Sequence, residues 1–410
     1  MANTFLTPSV FAQEGLMHLE NELVLGNVVH TDYSAEFSHK GDTISIRRPT
    51  QYLGQNDNLD ITGYREDITQ GKTTISMNRT VSIPVKIGAK DRTLSFDRLS
   101  EDVIRPAVIR MKDRIENELS QLYRQLYWYA GVPGTPLTSF DQLAQAGAQM
   151  TEVAIPNSDR SAFHAPTTAA KLANEVKNVY VTDKAKKAFE KAQVGYYAGF
   201  DNYETAYAPT HTAGTGTGTP VVNGANQGVT YDVAKDSWSQ TLNTNGWTNS
   251  VTGILRAGDV FTIAGVNSVN PVSKADTGRL QTFVVMADAN SGASTGPAAL
   301  TISPPIIPTG AYQTVTAVPA AGAAITVVSG TAGVRSKQSL LLAPKCFALV
   351  TRALDIPNGS GLKTSTKAGN KTVISVSEFV DGNTLDQTFR FDILFGVKVL
   401  DQRLGMRFGQ

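Results

Sequence analysis

The stretch Leu94–Ala130, LSFDRLSEDVIRPAVIRMKDRIENELSQLYRQLYWYA, carries the hydrophobic pattern around which the rest of the chain is organised. Its apolar residues recur in alternating steps of three and four, at Ile104, Val108, Met111, Ile115, Leu119, Leu122 and Leu126. This spacing places them on one face of an α-helix of roughly seven turns or more. Because such a helix is about twice the average length in soluble proteins, we expect it to act as a strut.

The two ends of this predicted helix have recognisable signals. Ser100 or Asp97 can cap the start by accepting a hydrogen bond from a backbone N–H. Pro106 lies beyond the first turn of a helix that starts at Ser100, so the sequence predicts either a kink or a later start. Gly131 and Pro133 end the pattern.

Away from the apolar stripe the helix is charged with both signs. This face predicts either a solvated surface or a contact with another subunit, and it comprises Arg110, Lys112, Asp113, Arg114, Glu116 and Glu118. The aromatic end of the stretch is better explained by packing on a sheet than by a binding platform; it comprises Tyr123, Tyr127, Trp128 and Tyr129.

Length and composition exclude several classes. The 410 residues are enough for two or three domains, and a formal charge of +1 argues against a DNA-coating protein or a strongly acidic partner. The single cysteine, Cys346, cannot form an internal disulfide. The start of the chain lacks a signal-peptide pattern, and no apolar run reaches the ~20 residues of a membrane span. We therefore expect a soluble protein that is made and used without export.

The chain then changes character in steps. Residues 1–40 are acidic and contain too few apolar residues to build a core of their own, so they predict an arm that lies on another surface. Period-two patterns in Gly41–Pro49 and Lys72–Gly88, joined by the polar stretch Tyr52–Gly71, predict a protruding hairpin. Such a hairpin is only marginally stable alone, so it should lie against a neighbour.

The middle of the chain is mixed. Phe140–Ile155, Ala169–Val176 and Asp183–Ala192 have helical patterns, and Asn178–Thr182 has the pattern of a strand between the last two. The run His211–Pro220, HTAGTGTGTP, is typical of a flexible linker.

A charge-poor region follows, with nine charged residues up to Val334. Its short alternating segments predict a small β-sandwich or barrel inserted into the first domain: Gly258–Val266, Leu280–Ala287, Ala299–Pro304, Gln313–Val318 and Ala324–Ser329. Ser339–Leu354, Lys371–Val380 and Thr388–Gly409 then carry the chain back to the main fold, and the last two read as strands of the main sheet.

Motifs that carry chemistry are weak. The GKT at Gly71–Thr73 is not a phosphate loop, because the glycine that the motif requires five residues earlier is Glu66. Cys346 lies in an apolar run and is expected to pack as a small hydrophobe. The five histidines lack metal-ligand spacing and are expected on the surface or in the arm: His18, His30, His39, His164 and His211. We therefore expect no cofactor, no metal and no enzymatic activity.

The order of acidic arm, long hairpin, long helix, mixed domain, inserted β-domain and returning strands resembles the tailed-phage major capsid protein fold, also called the Johnson fold. More narrowly, it resembles the coat proteins of short-tailed phages of the Salmonella-phage type, which carry an inserted β-barrel. The stretches that carry the resemblance are Phe96–Tyr123, Ala198–Gly228, Arg256–Val266 and Leu340–Pro357.

The resemblance implies an α+β fold with an extended N-terminal arm, a long hairpin loop, a spine helix and an inserted all-β barrel. It divides the chain into an arm (1–40), an extended hairpin loop (41–89), a spine helix of the peripheral domain (90–139), an axial domain (140–209 and 335–380), an inserted barrel (210–334) and C-terminal strands of the peripheral domain (381–410).

The same resemblance implies function and partners. The chain would be the major capsid protein of a tailed double-stranded DNA phage, assembling with itself as pentamers and hexamers into an icosahedral shell that expands from precursor to mature form. Scaffolding protein, a portal protein at one vertex and packaged DNA by non-specific proximity would be partners, with no membrane. The protein would be located in the virion capsid, which is assembled in the host cytoplasm. The kinked spine helix would be a candidate hinge for the expansion.

Some charged residues of the hairpin and the helix are of mixed sign, and no aromatic side chains interleave with them, which argues against a nucleic-acid site. We therefore take them as candidates for contacts between subunits: Arg47, Arg48, Arg65, Glu66, Asp67, Arg110, Arg114 and Glu118. Two other classes remain open. The charge-poor insertion favours a β-rich virion surface or decoration protein that binds carbohydrate or a host surface. A hydrolase is the third class, but the sequence supplies no convergent set of titratable groups for it.

Overall fold

The structure is a computed structural model, and it describes residues 8–34, 43–53, 67–88, 104–176, 195–354, 362–369, 371–384 and 386–410. The chain folds into two compact units. Unit 1 comprises Met1–Ser45, Thr74–Ser120 and Phe347–Lys398; unit 2 comprises Ile46–Thr73, Gln121–Cys346 and Val399–Gln410. Both units contain helices and sheets, which confirms the predicted α+β class.

The helices are short or of medium length. In chain order they are α1 (Pro8–Glu22), α2 (Leu25–Val28), α3 (Arg105–Ser120), α4 (Phe140–Glu152), α5 (Pro166–Val176) and α6 (Tyr231–Ala234), with 3₁₀ turns at Gln121–Gln125 and Gln402–Leu404. No helix in the described ranges is both long enough and apolar enough to cross a membrane.

Strands dominate the rest of the described chain. They are β1 (Thr43–Arg47), β2 (Lys72–Ser76), β3 (Arg79–Ile87), β4 (Trp128–Gly131), β5 (Ser161–His164), β6 (Gly195–Tyr197), β7 (Phe200–Glu204), β8 (Thr210–Thr212), β9 (Gly218–Val222), β10 (Gln240–Trp247), β11 (Val260–Val269), β12 (Asp276–Val285), β13 (Ala298–Ser303), β14 (Ile325–Val327), β15 (Arg335–Leu342), β16 (Phe347–Arg352), β17 (Lys363–Ala368), β18 (Val373–Val380), β19 (Gln387–Val399) and β20 (Gly405–Gly409).

The predicted apolar stripe is confirmed, but the helix ends earlier than predicted. All seven stripe residues are buried. Helix α3 ends at Ser120, a 3₁₀ turn follows, and the chain then enters β4. The apolar residues thus keep their helical spacing beyond the end of the helix. Pro106 is the second residue of α3, and the segment that would show a kink or a later start, residues 89–103, lies outside the described residues. The candidate caps Asp97 and Ser100 lie outside the described residues.

Unit 1 is built on an antiparallel sheet centred on β19. Strand β18 pairs with one part of β19, and β3 pairs with it over nine residues, from Gln387 opposite Ile87 to Phe395 opposite Arg79. Alternate residues of β19 are buried, as the period of two requires. The core of the unit therefore lies on the face that carries Phe389 and Phe391.

The predicted hairpin is only partly correct. The run Lys72–Gly88 is two strands rather than one: β2 pairs with β1 in a two-stranded sheet, whereas β3 joins β19. The long-range pairing of β3 with β19 separates β3 from β2, and the alternating sequence pattern alone does not predict this separation. Residues 54–66, the predicted tip of the hairpin, lie outside the described residues.

The N-terminal segment packs on its own unit instead of extending away from it. Helix α1 buries Phe11, Ala12, Leu16 and Leu19. The Phe11 ring stacks on Phe389 with a centroid distance of 4.3 Å. The expectation that this segment needs another surface was correct, but for residues 8–34 that surface belongs to the same chain.

Unit 2 contains a seven-stranded mixed sheet and a six-stranded sheet. The first has the order β4-β20-β15-β5-β7-β6 with β8 paired to β15, and its β4–β20 and β5–β7 pairs are parallel. Helix α4 starts with a capping box between Ser139 and Gln142, within the predicted Phe140–Ile155. Helix α5 covers the predicted Ala169–Val176, whereas the predicted Asn178–Thr182 strand and Asp183–Ala192 helix lie outside the described residues.

The six-stranded sheet lies within residues 218–327 and has the order β14-β11-β12-β13-β10-β9. Its two edges meet, because Val222 N–H donates to the Ala323 carbonyl and Gly322 N–H donates to the Val222 carbonyl, both at 2.9 Å. The predicted all-β barrel is therefore confirmed. One predicted strand is wrong: Gln313–Val318 contributes only an isolated bridge between Val315 and Ser268.

The predicted linker His211–Pro220 is not a linker. It contains β8 and part of β9, and His211 is buried. A Cβ atom on Gly214 or Gly216 would lie 2.3 or 2.6 Å from the Ile254 carbonyl oxygen. These glycines therefore serve a close backbone approach, and composition alone cannot distinguish that role from flexibility.

Candidate functional site

Three of the candidate subunit contacts lie on α3 in unit 1. Arg110 is exposed and pairs with Asp113 at 2.9 Å, one turn further along the helix. Arg114 contacts one Glu118 oxygen at 2.7 Å, and Arg79 of β3 contacts the other at 3.1 Å. Glu118 thus ties α3 to β3 within one chain, whereas Arg110 and Arg114 present half or more of their side chains to solvent.

The other candidates belong to the hairpin. Arg47 and Asp67 are exposed, and Asp67 lines an open groove of about 330 Å³. Arg65 and Glu66 lie outside the described residues. The candidates are therefore not brought together into one cluster among the described residues.

Arg48, the remaining hairpin candidate, is part of a cation–aromatic cluster in unit 2. Its guanidinium lies 5.5 Å from the ring centre of Trp238, and the Arg403 guanidinium lies 5.6 Å from the same ring. Arg403 pairs with Asp401 at 2.7 Å. Burial disfavours both charges, but their mutual attraction prevails, so the pKa of Asp401 is lowered and the pKa of Arg403 is raised. Burial lowers the pKa of Arg48.

A second polar cluster, which sequence reasoning missed, surrounds Asp259 in the interior of unit 2. One carboxylate oxygen accepts hydrogen bonds from Ser329 Oγ and His211 Nε2, both at 2.8 Å, and the other accepts from the Arg256 and Gly214 backbone N–H groups at 2.6 and 2.9 Å. Because the carboxylate only accepts, Nε2 donates to it, and Nδ1 lies at hydrogen-bond distance, 3.0 Å, from the Tyr123 hydroxyl.

These contacts decide the charge of Asp259. Burial alone would raise its pKa, but the hydrogen bonds from His211, Arg256 and Ser329 outweigh that effect and lower the pKa. The carboxylate therefore stays ionised in the core, where it fixes β8, the start of β11 and the turn at Ser329. The serine contacts the carboxylate rather than the histidine, which is not the arrangement of a nucleophile and its base.

Arg407 of β20 is fully buried nearby. One terminal nitrogen donates to the Gly258 carbonyl at 2.7 Å, and the guanidinium lies 5.4 and 5.5 Å from the rings of Tyr123 and Tyr129. Burial lowers the pKa of Arg407 to about 10. Arg407 therefore joins the aromatic end of the α3 stretch to the sheet, in agreement with the predicted packing of those aromatics.

A buried carboxylate also anchors the N-terminal segment in unit 1. Glu116, predicted as part of a solvated or contact face, has no exposed surface and accepts hydrogen bonds from the N–H groups of Val24, Leu25 and Gly26 at 2.7, 3.1 and 3.2 Å. Burial raises the pKa of Glu116 despite these donors. The prediction for Glu116 was therefore wrong, and its partners lie some ninety residues away in sequence.

The histidine prediction was wrong for two residues. His211 belongs to the Asp259 cluster, and His164 of β5 is buried between Ser339 Oγ and Asn202 Oδ1, both at 2.9 Å. Burial lowers the pKa of His164 to about 4, so the ring is neutral near pH 7. Cys346 is buried as predicted, and burial raises the pKa of its thiol.

Comparison with known proteins identifies the class. The model of the family described as P22 coat protein, gene protein 5, matches residues 2–408. A major capsid protein of Acyrthosiphon pisum secondary endosymbiont phage 1 is 25% identical over 383 residues, covering 90% of this chain and 89% of that protein.

Two solved structures are also similar to this chain, one over most of its length and one over about a quarter of it. That of Mycobacterium phage Che8 aligns over 94% of this chain and 91% of its own, with 10% identity and a TM-score of 0.47. The I-domain of the CUS-3 coat protein is 32% identical, covering 27% of this chain and 94% of its own, with a TM-score of 0.19.

The protein is thus a structural subunit of a virion, the major capsid protein of a tailed phage. The chain belongs to the P22 coat protein family, because the family model matches nearly its whole length. This membership agrees with the capsid fold that the resemblance implied, and it favours the shell subunit over a surface-binding decoration protein.

Proposed function

We propose that copies of this chain assemble as pentamers and hexamers into an icosahedral precursor shell, which expands when DNA is packaged. The observation that carries the proposal is the whole-length match to a coat protein family. By the same resemblance, scaffolding protein guides the precursor, a portal protein occupies one vertex, and assembly takes place in the host cytoplasm. The near-neutral charge of +1 supports a wall that encloses DNA without binding it tightly.

Within the shell, the predicted domain division assigns a role to each part. The extended hairpin loop, 41–89, reaches a neighbouring copy; the axial parts, 140–209 and 335–380, surround the capsomer centre; and the barrel, 210–334, is the insertion. We propose no catalytic activity for any of them, in keeping with the structural role of the family.

The candidate contacts divide by exposure. Arg47, Asp67 and Arg110 present charge to solvent, which supports a role between subunits for them and for their sequence neighbours Arg65 and Glu66. Arg114 is half exposed and suits the same role.

Two other candidates are better suited to internal roles. Glu118 and Arg48 already have charged or aromatic partners in their own chain. We therefore propose that these two orient α3 and the hairpin rather than meet a neighbour.

The test is expression of the full chain with and without a scaffolding protein, followed by negative-stain electron microscopy and sedimentation. We expect closed shells with scaffolding protein and irregular or partial assemblies without it. Arg110→Glu should reduce the yield of shells, whereas Arg279→Glu, at another exposed ion pair, serves as the matched control. A monomer that stays monodisperse with scaffolding protein present would refute the assembly proposal.

A further inference from the structure

The two loop stems, residues 46–53 and 67–73, lead into and out of the extended hairpin loop, and both belong to unit 2. They are joined to each other where Arg48 N–H donates to the Gly71 carbonyl at 2.8 Å. A two-stranded hairpin is marginally stable in water by itself. The direction in which the loop leaves the unit therefore depends on what holds these stems.

Two stacked tyrosines, Tyr231 and Tyr312, hold them; we refer to this pair as the tyrosine clamp. Their rings are parallel within 3°, with centroids 3.5 Å apart. The Tyr312 hydroxyl accepts from Gln51 N–H at 3.1 Å and donates to the Thr69 carbonyl at 3.2 Å, so one oxygen bridges both stems. The Tyr231 hydroxyl accepts from Gly71 N–H at 3.2 Å.

The clamp is reinforced by residues that follow Tyr231. Asp236 accepts a hydrogen bond from Lys72 N–H at 2.9 Å. Gly71 lies so close to this segment that a Cβ atom there would be 2.2 Å from the Lys235 carbonyl oxygen. Burial and the neighbouring Tyr312 hydroxyl raise the pKa of Tyr231 to about 12, so its hydroxyl stays protonated.

We propose that Tyr231 and Tyr312 are positioning residues for assembly: the tyrosine clamp, which lies within the inserted segment 210–334, sets the direction in which the extended loop reaches a neighbouring copy. This inference rests on the proposed function, in which the loop contacts a neighbour. It gives the insertion a role inside its own subunit, because the insertion then determines where the loop points.

The test compares Tyr231→Phe and Tyr312→Phe in the full chain. Each variant keeps the ring stack and removes the hydroxyl that the stems use. Tyr203→Phe, at a stacked tyrosine on β7, is the matched control. Hydrogen–deuterium exchange should quicken about fivefold in the peptide covering 46–53 in Tyr312→Phe, which removes the acceptor of Gln51 N–H, and in the peptide covering 67–73 in Tyr231→Phe, which removes the acceptor of Gly71 N–H. Shell assembly with scaffolding protein should slow in the same two variants.

A third variant separates the two proposals: residues 55–65 are replaced by a Gly-Ser segment of equal length. If exchange in the stems is unchanged in both Phe variants, the clamp is overturned. If exchange quickens but assembly matches the control while the Gly-Ser chain fails to assemble, the positioning role is overturned and the role of the loop stands. If the Gly-Ser chain assembles normally, the proposed role of the loop is overturned, and the positioning role with it.

Discussion

Removing the Phe11 ring should detach the N-terminal segment from unit 1. The side chain is fully buried, stacks on Phe389 at 4.3 Å and meets the edge of Phe391 at 6.4 Å. Truncating a buried phenylalanine to alanine costs about 3–5 kcal/mol. Two aromatic contacts of about 0.5–1.5 kcal/mol each are part of this loss, so we expect Phe11→Ala to destabilise unit 1 by about 4 kcal/mol.

The assay must report on unit 1 itself, because a chain with two compact units need not unfold in one step. Native-state hydrogen exchange of α1 and of β17–β19, measured on unassembled chains, gives the local free energy of opening. Val10→Ala on the same helix is the matched control, since Val10 is 49% exposed and should change stability by less than about 0.5 kcal/mol.

A result in which Phe11→Ala and Val10→Ala behave alike would refute the packing of this segment on its own unit and favour the sequence expectation of an arm that lies on another surface. A double-mutant cycle with Phe389→Ala isolates the stacking contact. The two residues touch, so a coupling of about 1 kcal/mol or more is expected. Strict additivity would show that the ring stack contributes nothing specific.

Three further perturbations test the interior. Asp259→Asn should destabilise unit 2 by about 2–4 kcal/mol in thermal or denaturant unfolding, because it removes the charged acceptor of a buried hydrogen-bond network. The pKa of Asp259 in the folded state lies below its ordinary value of 3.8. The greater stability of the wild type should therefore be present above pH 3.8 and be lost as the pH falls through the folded-state pKa. His164 has a pKa of about 4 in the folded state and 6.5 in the unfolded state. The free energy of unfolding of the wild type should therefore decrease by about 3 kcal/mol as the pH falls from 6.5 to 4, and His164→Gln should not show this decrease. Gly71→Ala should speed exchange in 67–73 through the contact with Lys235, whereas Gly382→Ala, with open space around it, should not.

The part of the fold that sequence predicted best is the part fixed by local periodicity. The α3 stripe is buried throughout because a spacing of three and four residues determines a helix face wherever the helix packs. The end of the helix was not predictable in this way. Leu126 continues the helical spacing, but Trp128–Gly131 pairs in parallel with β20, nearly 280 residues later, and that pairing decides the conformation.

The buried polar groups were missed for a related reason. His211 lies in a threonine–glycine run that is typical of a linker, and its partner Asp259 is 48 residues away. Glu116 has the same neighbours in sequence as the exposed charges of α3, yet it receives its hydrogen bonds from residues near position 25. A carboxylate that anchors a distant backbone segment cannot be told from a solvated one by spacing alone.

This division of charges bears on how a shell subunit can be stable and still assemble reversibly. The carboxylates Glu116 and Asp259 are used inside the chain, where losing a buried partner costs several kcal/mol. The charges that we propose for contacts with neighbouring subunits, such as Arg47 and Arg110, are exposed, and pairs of that kind contribute about 0–1 kcal/mol each and weaken with salt. Folding would then rest on few strong contacts and assembly on many weak ones, so that a misplaced subunit can leave the growing shell before the wall closes.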